Sequence, residues 1–155
     1  MVLRPIVKPA RKSRYTLDEL LSGMTSTMFR KKSIGVRGAA MRHGDVAAPD
    51  AGDIIWLDFL QPVANEEAGR RPALVLSPRI FNELTGRCIA CPITRGDRDW
   101  SFHVSIQDGH EITGVVQADQ LRSASWEQRG SRFICKAPAG VLDEVRARLK
   151  PLLSL

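Results

Sequence analysis

Polar and apolar positions change rhythm at Gly52. Beyond it, short apolar runs alternate with polar breaks, the pattern of half-buried strands between turns. Residues 53–59 (DIIWLDF), 71–77, 87–93, 102–106, 114–118 and 131–137 each read as a strand. In 102–106, Phe, Val and Ile alternate with His and Ser, so one face is buried and the other is wet. Residues 60–70 form a polar loop, and Thr85-Gly86 marks a turn before the third strand. The period then lengthens. After Pro138, residues Val141, Leu142, Val145, Leu149, Leu152 and Leu153 recur at helical spacing. Asp143 and Glu144 come early in that segment, with Arg146, Arg148 and Lys150 late, as the helix dipole favours. Pro138 opens this helix, and Pro151 ends or kinks it. Five or six short strands and one terminal helix predict a mainly β fold with α, a small β-barrel with a C-terminal helix packed on it.

Upstream of Gly52 only one element is legible. Residues 14–21 (RYTLDELL) predict a short helix, with Thr16 as N-cap and Glu19 completing a capping box. Residues 22–50 lack sustained periodicity and are rich in Gly, Ser, Ala and Arg. They read as a mostly disordered linker, so the N-terminal extension is mostly extended or disordered with one short helix.

Charge sharpens this division. The chain carries a net +6, but residues 1–49 hold ten Lys/Arg against three Asp/Glu, and residues 50–155 hold thirteen against fourteen. A nucleic-acid site in the C-terminal part must therefore be a local cluster. No apolar run approaches the ~20 residues of a membrane span, and no apolar segment follows the basic N-terminus as a signal peptide requires. A cytoplasmic protein without membrane contact is expected. Cys88 and Cys91 form a C-x-x-C inside an apolar run without a second pair. In an extended strand, residues three apart point to opposite faces, which suits neither chelation nor a disulfide. Both, like Cys135, read as small buried hydrophobes. No metal and no cofactor is expected. His43, His103 and His110 have no Ser or Cys partner in a recognisable arrangement.

Three motifs carry a resemblance: G-D-I-I-W-L-D-F (52–59), E-x-A-G-x-R-P-A-L-V-L-S-P (66–78) and C-P-I-T (91–94). The stretch V-Q-A-D-Q-L-R-S-A-S-W (116–126) and the closing helix continue it. From about residue 50 to 155 the chain resembles the MazF/PemK toxin family. That resemblance implies an SH3-like small β-barrel of the MazF/CcdB/PemK type, a homodimer and a type II toxin–antitoxin component. It also implies a ribosome-independent, metal-independent endoribonuclease that cuts single-stranded RNA at short sequences.

The resemblance assigns Arg71, immediately before Pro-Ala, as the catalytic arginine. Attack of a 2′-hydroxyl on the adjacent phosphate needs a base, charge stabilisation on the phosphorane and a proton for the leaving 5′-oxygen. A guanidinium presents a rigid fork of donors to phosphate oxygens, and fixed charge beside developing charge is a large catalytic term. Thr94, at the place of the family's Pro-x-Thr, supplies a hydroxyl donor to the same phosphate. Glu66, five residues before Arg71, matches the family's glutamate, a base or a positioner. Arginine holds its proton tightly, so the base is either Glu66 or an Arg71 that gives its proton up. Arg70 is expected at the rim as a phosphate contact. The loop R-G-D-R-D-W-S (95–101) departs from the family's usual form. Its Arg95, Arg98 and Trp100 are candidate RNA contacts, with Trp100 either stacking on a base or packing in the core. Trp56 and Trp126 fit core or interface positions, and Ser77-Pro78 closes a strand.

Residues 6–25 (IVKPARKSRYTLDELLSGMT) resemble a MazE antitoxin where its DNA-binding fold ends and its toxin-binding tail begins. The continuation S-T-M-F-R-K-K-S-I-G-V is basic where that tail is acidic. Codons permitted for Met28 to Val36, read one base earlier, allow Asn-Val-Gln, two Lys or Glu, Ile or Val, then Asp-Trp-Gly, the expected antitoxin ending. A lost base near residues 25–27 would explain the fusion; an engineered linker is the alternative. The division expected is an antitoxin-like remnant and linker at 1–40 and a toxin domain at 41–155. Having lost its acidity, the remnant is expected to inhibit weakly or not at all, and the chain alone is not expected to bind DNA. Expected partners are single-stranded RNA, a MazE-type antitoxin and a second copy. The alternative readings are a non-catalytic antitoxin-binding or gyrase-binding barrel, or an autoinhibited antitoxin–toxin fusion.

Overall fold

The computed structural model describes residues 15–22, 47–59, 69–96, 99–107 and 110–155. Helix α1 (Leu17–Leu21) stands where the capping box placed it. Its capping box is complete: Thr16 Oγ1 accepts from the Glu19 amide at 3.2 Å, and the Thr16 amide donates to Glu19 Oε2 at 2.6 Å. The backbone bond from Thr16 also holds the Glu19 carboxyl below its ordinary range. The expected linker at 23–46, and the antitoxin-like segment apart from residues 15–22, lie outside the described residues.

Seven strands follow: β1 (Asp53–Phe59), β2 (Gly69–Val75), β3 (Arg87–Thr94), β4 (His103–Ile106), β5 (Gly114–Gln117), β6 (Arg122–Ser125) and β7 (Arg132–Lys136). All pairings are antiparallel, in the order β4-β5-β3-β2-β1-β7, with β6 also on β3. The sheet is a curled half-barrel closed by the C-terminal helix α3 (Val141–Leu152), as the pattern predicts. β5 and β6 run end to end along the same edge of β3. Thr94 pairs with Val115, yet Ala90 pairs with Arg122 rather than residue 119. The 3-10 turn Ala118–Gln120 between them takes up the three extra residues.

The sheet buries a core on each side. One contains Ile54, Leu74, Cys91, Ile93, Val104, Ile106 and Val116 against Val141, Val145 and Leu149 of α3. These helix positions are four residues apart, a single stripe. Leu152 and Leu153, expected to extend it, are exposed. The second core contains Ile55, Leu57, Phe59, Ala73, Val75, Cys88, Ala90, Ala124 and Trp126, with Ala48. Cys88 and Cys91 thus fall in different cores, as three-residue spacing in a strand dictates. Burial pushes their thiols up, to about 11 and about 12.

Three features differ from the sequence reading. Helix α2 (Arg79–Thr85) lies between β2 and β3. Its N-cap, Pro78, makes no side-chain capping bond, and only Gly86, left-handed at φ 64°, marks its end. β6 was not foreseen; it pairs along β3 after the 3-10 turn. Finally, residues 47–50, read as linker, are latched onto the fold. Asn82 is wholly buried. Its Nδ2 donates to the Pro49 carbonyl at 2.8 Å, and its Oδ1 accepts from Ser77 Oγ at 2.6 Å. Asp50 Oδ1 accepts from the Arg79 amide at 2.9 Å, a bond that holds its carboxyl below the ordinary range. The Trp126 indole reaches the Asn82 carbonyl at 2.9 Å, and Ser77 Oγ takes the Ile89 amide at 2.8 Å. Ser77 therefore closes β2 structurally, as expected.

Candidate active site

Two prolines shape the site. The β2–β3 ladder runs Val75↔Ala90, Leu74↔Cys91, Ala73↔Pro92 and stops. The Leu76 amide donates to the Ile89 carbonyl, so even-numbered β2 residues form the hydrogen-bonded rungs. The next such rung would pair Pro72 with Ile93, and Pro72 has no N–H to give. Beyond that point β2 stays with β1 and β3 turns to β5, through Thr94↔Val115. The β2–β3 ladder ends there, and Arg71 and Thr94 are the residues on either side of this break, which is termed the cleft and they its lips.

Both side chains face the same way. Arg71 lies opposite Leu57, on the face of Ile55, Ala73 and Pro92. Thr94 is two residues from Pro92 and so shares that face. Continuing the register two steps from Ala73↔Pro92 sets Arg71 across from Thr94. Both are half-buried. A guanidinium and a hydroxyl converging on a cleft offer several donors to one phosphate group.

Thr94 is seated by glycine. Gly114 has φ +133°, and a Cβ there would lie 2.3 Å from the Thr94 carbonyl oxygen. Only glycine lets β5 approach so closely. Sequence reading missed this residue, although a glycine opening an apolar strand is a signal of close backbone approach. Arg122 was also missed. Its guanidinium sits 5.9 Å from the ring centre of Phe59, a residue of the second core.

The remaining candidates are dispersed. Arg95 adjoins Thr94 and is exposed. Arg70 pairs with Asp58 on the opposite face and donates to the Gly130 carbonyl at 3.4 Å. Trp100 is half exposed. Its Nε1 donates to Asp119 Oδ2 at 2.9 Å, and its ring tilts against Phe102 at 5.8 Å, beside the helix-side core rather than the Arg71 lip. Glu66 and Arg98 lie outside the described residues. His103 pairs with Gln117 in the β4–β5 ladder, and Trp126 is buried. Among the described residues, no three His, Cys, Asp or Glu cluster as metal ligands would, and no helix is long and apolar enough to cross a membrane.

Residues 50–153 match the model of a family described as PemK-like, MazF-like toxin of type II toxin–antitoxin system. The endoribonuclease toxin MazF of Escherichia coli K12 is 38% identical over 105 residues, which span 68% of this chain and 94% of that protein. The endoribonuclease PemK of Escherichia coli is 36% identical over 105 residues, 64% of this chain and 79% of that one. Among solved structures, MazF from Deinococcus radiodurans superposes with a TM-score of 0.66 at 44% identity, covering 70% of this chain and 98% of its own. A MazE–MazF structure from the same organism gives 0.64 at 43% identity, covering 72% and 99%. With a matching family model over two thirds of its length and relatives of this identity along the same barrel, the chain belongs to the PemK-like, MazF-like toxin family of type II toxin–antitoxin systems.

Proposed function

We propose that this chain is the toxin of a type II pair, an endoribonuclease that cuts single-stranded RNA and so arrests translation. The observation that carries the reading is the break in the β2–β3 ladder beyond Ala73↔Pro92, with Arg71 and Thr94 on either side of it. The names of the relatives, endoribonucleases MazF and PemK, point the same way.

In this reading the scissile phosphate sits between the lips. The Arg71 fork and the Thr94 hydroxyl donate to its non-bridging oxygens and take up the charge that grows as the 2′-oxygen attacks. The 2′-hydroxyl proton passes to a base, for which Glu66 is assigned. The P–O5′ bond breaks, and the departing oxygen takes a proton from the Arg71 side. The products are a 2′,3′-cyclic phosphate and a 5′-hydroxyl. Arg95 and Arg98 are assigned to neighbouring phosphates. Arg70 and Trp100, turned away from the cleft, are assigned to outer contacts. The active form is a homodimer in the cytoplasm, neutralised by a MazE-type antitoxin; structures of such MazE–MazF pairs are among the neighbours. Residues 1–40 are a remnant of an antitoxin tail, too basic to imitate RNA, and 41–155 are the toxin domain.

Cleavage of a long single-stranded RNA in EDTA, with ends mapped, tests the reading. Discrete cuts with cyclic-phosphate ends by the full chain, and none by Arg71→Ala, are expected. Intact RNA with the folded wild-type chain would overturn it in favour of a non-catalytic barrel. Equal cutting by residues 41–155 and the full chain is the result expected of a non-inhibiting remnant.

A further inference from the structure

A cavity of about 500 Å³ lies away from the Arg71 cleft, where β7 meets β1 and the 47–49 segment. Its floor is apolar, with Ala48 and Ile55; its walls carry Arg79, Arg132, Phe133 and Lys136. Lys136 forms an ion pair with Asp53, itself in the wall, and the Asp50 carboxylate lies close to both Arg79 and Lys136, so three cations face two carboxylates and a net positive charge remains. Phe133 is 54% exposed, which is unusual for a large aromatic ring at a cavity mouth.

The register ties this cavity to the cleft. Phe133 stands opposite Ile55, and Ile55 opposite Ala73, two residues from Arg71 on the same sheet face. Two strand spacings across and two residues along put the Phe133 and Arg71 backbones about 12 Å apart. An exposed aromatic ring in an apolar hollow, ringed by guanidinium and ammonium groups, is the chemistry that takes a nucleotide. The base stacks on the ring and the phosphate meets the cations.

We infer that this cavity is a subsite for a nucleotide of the bound RNA, a few positions from the cut phosphate. The inference rests on the ribonuclease reading and extends it. The cavity adds affinity for longer RNAs without touching the reacting atoms. It thereby sets how much flanking RNA the enzyme requires around its cut.

The test compares two RNAs carrying the same mapped cut: a short one with a single flanking nucleotide on each side, and a long one with several more on each side. For the wild-type chain the longer RNA is expected to have the lower KM at similar kcat. In Phe133→Ala that advantage shrinks by about tenfold, the size of one lost base stack. Arg132→Gln, another exposed position, lowers it in a salt-dependent way. Leu155→Ala, at an exposed leucine elsewhere, keeps the full advantage. A thermal melt checks that each variant is folded. If the wild-type chain cuts neither RNA, the ribonuclease reading falls and this inference with it. If it cuts both, and the length advantage is the same in Phe133→Ala and Arg132→Gln, the inference alone is overturned. Binding of adenosine monophosphate at the cavity without any length effect on RNA also overturns it, since the occupant would then be a free nucleotide.

Discussion

Gly114→Ala is the most informative single perturbation of the site, because it acts on Thr94 without touching a reactive group. Two costs are separable. Alanine at φ +133° occupies backbone space that is essentially reserved for glycine, at about 1–3 kcal/mol. The new Cβ would also lie 2.3 Å from the Thr94 carbonyl oxygen and 3.1 Å from its carbonyl carbon. Restoring ordinary contact requires β5 and the end of β3 to separate by roughly 1 Å, and a displacement of that size in a positioned group typically costs ~10²-fold in rate. Gly130→Ala is the matched control, since its φ is +56° and nothing lies within 4 Å of the added atom. It should lose about 1–2 kcal/mol of stability from the left-handed backbone and keep its activity. Urea unfolding and initial rates of RNA cleavage, measured for both variants, separate the terms. A double-mutant cycle sharpens the result. If Gly114→Ala acts by moving Thr94, it should cost little further rate in a Thr94→Ala background. Equal stability and equal rates for the two glycine variants, or full additivity with Thr94→Ala, would refute the reasoning.

Four further outcomes are expected. Arg71→Lys keeps the charge but loses the planar two-pronged fork, so cleavage should fall by ~10²-fold or more while the urea midpoint hardly moves. Asn82→Ala strips partners from Ser77 Oγ and from the Pro49 and Ser77 carbonyls, all buried with it. At about 1–3 kcal/mol for each buried group left unsatisfied, partly relieved by water, a loss of about 3–5 kcal/mol should appear in chemical denaturation. The Asp50 carboxyl sits below its unfolded value, chiefly through the Arg79 amide bond. Its contribution is therefore full above about pH 4 and lost as pH falls through the lowered value, and Asp50→Asn should flatten the acid limb of a stability–pH curve. The Cys88 and Cys91 thiols are raised by burial to about 11 and about 12, so stability should decline as pH climbs from about 8.5 through those values. At neutral pH both should stay silent to a thiol reagent until the chain is unfolded.

The terminal helix and the strand pattern were legible because their periods are strong. Val141, Val145 and Leu149 repeat every four residues, and 102–106 alternates cleanly. The capping box at Thr16 was legible because its chemistry is local. Helix α2 was not, since seven residues after a proline carry too little period to distinguish a helix from a turn. The anchoring of residues 47–50 was hidden for a different reason. It depends on Asn82, some thirty residues away, and nothing in Ala-Ala-Pro-Asp announces a distant partner. Within the candidate site, Arg71 and Thr94 are assigned through motifs, while the face they share follows from the register of three strands. Gly114 matters only through its distance from a carbonyl on another strand, which no local pattern records.

The gap between β2 and β3 has a durable cause. Clefts held apart by side chains or bound ions can collapse when those are removed, because backbone groups across the gap are ready to pair. Here the rung that would close it has lost one of its two donors by covalent structure, leaving only the Ile93 amide to give, and no change of salt, temperature or ligand can restore a hydrogen that Pro72 does not have. That half of the rung stays unmade as long as the sheet lasts, so the weak point between the two strands need not be created anew for each encounter with a substrate.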